Sequence, residues 1–156
     1  MINETIDALV VACANAPEFA GVAVVDGPRI SEEQSANVTD RIFIGTTDDT
    51  SGLSAEGAND PEFLPGIIDV EQFTIHCVIE AWTGEIGPSG KRTRVFALRN
   101  ALRGLLRPDV GMAILNTPGL QSAYLGGWQL IQMQTTKGFY AGIIQRVEFT
   151  ARPIAN

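Results

Sequence analysis

The chain has 156 residues, 45% of them apolar and 19% charged, and a formal net charge of −7. This composition is typical of a folded globular protein, and the length predicts a single domain over 1–156 with one core. The acidic balance argues against general nucleic-acid binding. No apolar run approaches the ~18 residues of a membrane span, and the acidic N-terminus does not suit an export signal.

Charge is divided unevenly along the chain. Residues 1–85 hold 16 acidic side chains but only Arg29 and Arg41 as basic ones, whereas residues 86–156 hold nine basic side chains against Asp109 and Glu148. Opposite charges on the two parts can pair within one subunit or between copies of the chain. Self-association is therefore a hypothesis from the charge pattern alone.

The first part predicts a helix, two strands and a long loop. The helix has an apolar stripe at helical spacing and ends at Pro17. Strands are predicted at 22–25 and 41–45. Residues 46–66 have no period, and this acidic stretch is predicted as a flexible loop or as an arm that orders only in an assembly. The helix stripe consists of Ile6, Leu9, Val10 and Cys13, and the loop acids include Asp48, Asp49, Asp60 and Glu62.

Residues 71–82 alternate as a long, half-buried strand. His76 and Cys77 are neighbours on it, so their side chains point to opposite faces and cannot bind one metal together. No nucleophile motif, phosphate loop or metal motif accompanies them. The sequence therefore predicts no enzyme, no cofactor and no metal site, and buried thiols at Cys13 and Cys77. A binding or enzymatic cleft near His76, Glu80 and Trp82 is the alternative from another functional class.

A second helix is predicted from Lys91 to Arg107, ended by Pro108. Besides its leucine-rich core stripe it has a second stripe at helical spacing, made of Arg92, Phe96, Arg99 and Arg103. One interpretation is a solvated flank. The other is a contact with acids of a neighbouring subunit, for which arginine suits because its planar guanidinium pairs with carboxylates in a bidentate manner. Phe96 favours the contact, since an aromatic residue among arginines is typical of interfaces.

A hairpin closes the chain, with strands at 129–134 and 139–150 around a turn that places Gly138 where positive φ is needed. Gly126 and Gly127 indicate a bulge or close backbone approach at the start of the hairpin. The element order predicts an α+β fold, in which a mainly antiparallel sheet carries two helices on one face, with the long acidic loop between the second and third predicted strands.

Several segments of the sequence, taken in order, resemble one family. They are the short N-terminal helix, VVDGP (24–28), RIFIG (41–45) before an acidic Gly-rich loop, FTIHCVIEAWTG (73–84), RVFALRNALRGLLR (94–107) and QTTKGFYAGIIQRVEFTAR (134–152). Together they resemble the tail terminator, or tail completion, proteins of long-tailed phages, particularly minor tail proteins of phages of actinobacteria.

The resemblance implies a small α+β subunit that forms a ring, expected to be hexameric, on the tail tube. The ring ends tube polymerisation and presents the surface that the head joins. Implied partners are the chain itself, the tube protein and a head-completion or connector protein, with DNA only passing through the lumen and no membrane contact. The implied location is the head-proximal end of the virion tail, after assembly in the host cytoplasm. A head–tail connector and, third, a tail-tube subunit are the structural alternatives.

Overall fold

The computed structural model describes residues 1–27, 40–46, 54–61, 69–83, 89–136 and 138–152. These residues form two helices, six strands and single turns of 3₁₀ helix at Pro17–Phe19 and Ile114–Asn116. The helices are α1 (Ile2–Asn15) and α2 (Ser89–Leu105). The strands are β1 (Ala23–Asp26), β2 (Asp40–Ile44), β3 (Ala55–Pro61), β4 (Asp69–Thr83), β5 (Leu120–Thr135) and β6 (Gly138–Ala151).

All six strands belong to one sheet, and five of them follow one another in the order β1-β2-β4-β6-β5. The sixth, β3, pairs with the first half of β4 along the same edge that β2 uses further on. Every pairing is antiparallel except that of β1 with β2. The predicted α+β class and mainly antiparallel sheet are therefore confirmed. At the β5–β6 turn, Gly138 has φ 140°, a conformation that favours glycine, as predicted.

Both helices pack against the same face of the sheet. α1 lies over β1 and β2, and α2 lies over β4 and β6. The apolar stripes of the two helices meet alternate residues of β4 and β6 in one core, where each fully buried aliphatic side chain contributes about 1.5–3 kcal/mol. Its fully buried members include Leu9, Ile75, Ile79, Val95, Leu98, Leu102, Ile143 and Val147.

Three elements differ from the sequence-based expectation. Residues Ala55–Pro61, within the predicted 46–66 loop, form strand β3 along β4. β5 begins at Leu120, nine residues before the predicted 129, because Gly126 and Gly127 form a bulge inside the strand and do not mark its start. The face of β4 away from the helices is also buried, with His76 and Glu80 6% and 5% exposed, so β4 is more buried than expected.

Candidate functional site

The four residues of the predicted second stripe on α2 lie in three environments. Arg92 and Arg103 are exposed, and Phe96 is partly buried. Arg99 is only 9% exposed, and its contacts lie within its own subunit. The stripe is therefore not a uniform solvated flank. Of its arginines, only Arg92 and Arg103 expose their positive charge to solvent. A contact of Arg99 with a neighbouring subunit stays a prediction.

Arg99 is held between α2 and the adjoining strands. Its Nε donates a hydrogen bond of 2.7 Å to Oε1 of Gln145 on β6. Its guanidinium carbon lies 5.4 Å from the ring centroid of Trp128 on β5, within the range of a cation–π contact. Burial, and to a smaller extent the neighbouring charge of Arg103, lowers the pKa of the Arg99 guanidinium.

Trp128 has a second aromatic neighbour on α2. The Phe96 ring meets it edge to face, with centroids 5.4 Å apart and an interplanar angle of 88°. Such pairs contribute about 0.5–1.5 kcal/mol beyond the area they bury. Phe96 and Arg99 therefore fix the indole in one orientation, although Trp128 remains 46% exposed.

Gln145 joins this cluster to the bulge in β5. Its Nε2 donates to the backbone carbonyl oxygens of Gly126, at 3.1 Å, and Arg146, at 2.6 Å. The bulge lies between Leu125 and Trp128, where the register of β5 against β6 shifts. The fully buried amide of Gln145 thus accepts a hydrogen bond from the helix through its oxygen and donates to the bulge through its nitrogen. These two bonds set the position of Trp128 relative to α2.

β5 is an outer strand of the sheet, and no described strand pairs with its far edge. It exposes three large side chains: Tyr124 (58%), Trp128 (46%) and Met133 (54%). Arg103 and Arg107 lie beside it, lining a shallow depression with Tyr124. β5 is 16 residues long. Soluble monomers normally protect an open strand edge of this kind against pairing with a strand of another molecule. We call the surface formed on the helix face of the sheet by Trp128 and the outer arginines Arg92 and Arg103 the basic end.

The other edge of the sheet, at β1 and the helix α1 that covers it, carries the opposite charge. Residues 1–27 contain no lysine or arginine, and their four acidic side chains are all exposed. They lie on α1, on the turn that follows it and at the end of β1. We call this surface the acidic end; its members are Asp7, Glu18, Asp26 and Glu4, the last of which forms an ion pair of 3.3 Å with the terminal ammonium group of Met1.

Ion pairs within the subunit neutralise other parts of α2. Lys91 Nζ and Arg94 Nε lie 3.4 and 2.9 Å from the two oxygens of Asp40 on β2. Among the described residues, neither Arg92 nor Arg103 forms an ion pair, and Arg103 has only a 3.4 Å hydrogen bond to Asn100. The uncompensated positive charge on α2 is therefore concentrated on the side that borders β5.

The predicted acidic partners of the stripe are described only in part. Asp48, Asp49 and Glu62 lie outside the described residues. Asp60 lies on β3, opposite Val70 of β4. A contact between these acids and the arginines of a neighbour remains a prediction.

The groups that a small catalytic cleft would need are buried. Among the described residues His76 Nε2 has no hydrogen-bond partner, and it lies 3.6 Å from Glu56 Oε1. Glu80 accepts a hydrogen bond of 3.0 Å from the Tyr140 hydroxyl and lies 3.4 Å from Arg41. In the described ranges no three His, Cys, Asp or Glu residues are grouped to hold a metal ion, and no helix there is long and apolar enough to cross a membrane.

The two cysteines are free and buried, as the sequence predicts. Burial raises the pKa of the Cys13 thiol from 9.0 to about 12 and raises that of Cys77 as well. We expect neither thiol to react with a disulfide reagent at pH 8 in the folded chain, and both to react on unfolding. Rapid labelling of two thiols in the native protein would contradict the core packing.

The same shifts determine how stability depends on pH. The folded state keeps the Cys13 proton where the unfolded state releases it, so this contribution to the free energy of unfolding is complete below pH 9.0. It is lost as the pH rises towards about 12. Denaturation of a Cys13→Ala variant should lack this part of the alkaline decline.

Comparisons with known proteins find similarity in three-dimensional structure and none in sequence. No protein-family model matches the chain, and no curated protein matches it in sequence. A chain from the solved structure titled "Virion of native gene transfer agent (GTA) particle" is similar at 16% identity and a TM-score of 0.49, over 91% of this chain and 92% of that chain. A similarity at this level assigns no function.

Sequence reasoning identified the arginine stripe but missed Trp128 and Gln145. Trp128 precedes the predicted strand, so its pairing with the helix was not apparent. The signal that could have found it is Gly126-Gly127 before an aromatic residue, which is typical of a bulge that redirects a side chain. A single polar residue among the apolar positions of β6, Gln145, has no comparable signal.

Proposed function

We propose that this chain is a structural virion protein whose copies join head to tail in a closed ring at the end of a phage tail tube. The ring is hexameric, stops polymerisation of the tube and presents the surface to which the head joins. The resemblance of the sequence to tail terminator proteins supports this position. The chain acts by assembly, without catalysis or a cofactor.

The separation of charge between the two ends of the sheet is the observation that carries the self-assembly. A ring contact is heterologous, so each subunit needs two different surfaces that complement each other. The basic end, beside β5, and the acidic end, around α1 and β1, are such a pair. Complementary charge of this kind sets partner choice and register more than affinity.

An exposed aromatic residue at the basic end supports the same contact. Trp128 is of a residue type that dominates binding energy at interfaces, and Arg99 flanks it. An open strand edge with such a residue favours burial against another protein. These features support an interface of the ring at β5 and the outer arginines of α2.

Electron microscopy of negatively stained lysates tests the position of the ring. When the gene is deleted from the phage genome that carries it, we expect tails several times longer than normal, without heads, because nothing ends tube growth. Tails of wild-type length should return when the gene is supplied from a plasmid, and an otherwise identical plasmid with a stop codon in the gene is the matched control.

Two other results would overturn the terminator function. Tails of normal length beside separate heads would place the protein on the head side, as a connector. Complete absence of tubes, together with long tubes formed by the concentrated pure protein, would identify a tube subunit.

A further inference from the structure

We infer that Trp128 is the anchor of the subunit contact, and that it inserts into a groove along α1 of a second copy of this chain. The inference rests on the proposed ring and specifies its interface. A half-exposed aromatic side chain lies on β5, and a groove bordered by acidic residues lies along α1 of the same subunit, so the two different surfaces of a head-to-tail contact are both present.

The anchor is pre-organised. Phe96 and Arg99 hold the indole from two directions at 5.4 Å, and Gln145 fixes the bulge that presents it. An ordered aromatic side chain loses little conformational freedom on binding, so more of its burial contributes to affinity. Its exposure of 46% leaves nearly half of the side chain available to a partner.

The receiving groove lies between α1 and the segment that follows α2. It has a volume of about 500 Å³. Val11 and Met112 on its walls are 57% and 56% exposed, so the groove has apolar surface that the subunit itself does not cover. Other apolar members of its lining are Ala8, Ala12 and Leu115.

Charge selects this groove as the recess for Trp128. Asp7 and Asp109 border it with Arg107, so two negative charges face one positive charge. The side of α2 next to Trp128 carries Arg103, which forms no ion pair among the described residues. Insertion of the indole would bring Arg103 towards Asp7, a pairing that favours a second copy of this chain over a neutral or basic partner.

Tryptophan fluorescence in a Trp82→Phe background tests the anchor directly, since the chain has two tryptophans and Trp128 is then the only one left. The emission of Trp128 and its quenching by acrylamide are measured at a series of protein concentrations that spans assembly. Sedimentation velocity on the same samples gives the extent of assembly. A blue shift and reduced quenching on assembly are expected.

Two variants test the two sides of the contact separately. Trp128→Ser and Val11→Glu should each weaken assembly about 30-fold or more, as removal of a hot-spot residue does. Met133→Ser, an exposed apolar residue on the opposite face of the same strand, is the matched control and should assemble normally. Because Val11 lies on α1 and takes no part in the contacts of Arg99, Gln145 and Trp128, its effect does not depend on the folding of the Trp128 variant.

An equimolar mixture of Trp128→Ser and Val11→Glu gives the sharpest result. The first variant keeps an intact groove and the second keeps an intact anchor, so one sound contact remains and a heterodimer, with nothing larger, is expected. Normal assembly of either variant, or an unchanged Trp128 emission on assembly, overturns this inference while the ring stands. Absence of assembly by the unsubstituted chain overturns both.

Discussion

Replacing Arg92 and Arg103 together by glutamate is expected to abolish self-assembly while the subunit stays folded. Both side chains are exposed, and neither has an ion pair among the residues described, so the free energy of unfolding should change by no more than about 0.5 kcal/mol. Like charges brought together at an interface cost several kcal/mol, which corresponds to a loss of affinity of about 100-fold or more. Sedimentation velocity measures the loss, and circular dichroism checks the fold.

Ala97→Glu is the control for the position of the added negative charge. It adds negative charge to the exposed surface of the same helix, away from the side that contacts β5. Its assembly should therefore resemble that of the wild type. Equal weakening by the control would show a general effect of net charge, and unchanged assembly of the double variant would remove the basic end from the interface.

Gln145→Leu is expected to cause the largest loss of stability among polar substitutions in the described fold. It leaves the guanidinium of Arg99 buried without its acceptor and frees the carbonyl of Gly126 in the bulge. Removing one partner of a buried charged hydrogen bond costs about 3 kcal/mol. For a chain of this size the midpoint of thermal unfolding should fall by roughly 6–12 °C.

The matched substitution is Gln132→Leu, on the neighbouring strand, where the side chain is exposed. Its effect should stay within about 0.5 kcal/mol. The double variant Gln145→Leu with Arg99→Met removes both partners, so it should recover part of the stability lost in the single variant. A Gln145→Leu variant as stable as the Gln132→Leu protein would show that the amide does not support the bulge.

Hydrophobic periodicity predicted the main elements because each buries one face against a single core. The stripe of α1 through Leu9 and Cys13 and the alternation of β4 through Ile75 and Ile79 lead directly to the two layers observed. β3 could not be predicted in this way. Its residues Ala55–Pro61 are small and polar, and the strand exists because β4 offers its backbone along that edge.

The candidate site was predictable in part for a similar reason. Helical spacing placed Arg92, Arg99 and Arg103 on one side of α2, but spacing does not determine which side chain is buried. Arg99 is covered because Trp128 and Gln145, about 30 and 46 residues further along the chain, meet it across the sheet. Such a contact depends on the pairing of β5 with β6 and its bulge, which local sequence does not encode.

The most direct test of a head-to-tail ring through oppositely charged ends is a mixture of two charge-reversed variants. One carries Arg92→Glu and Arg103→Glu, so both of its ends are acidic. The other carries Asp7→Arg, Glu18→Arg and Asp26→Arg, which leaves Glu4 as the one acid of the acidic end, so both of its ends are basic. Each alone should sediment as a monomer. Mixed in equal amounts, the two should form a closed oligomer of the wild-type mass with alternating subunits, measured by native mass spectrometry. A mixture that stays monomeric although both variants are folded would contradict the account.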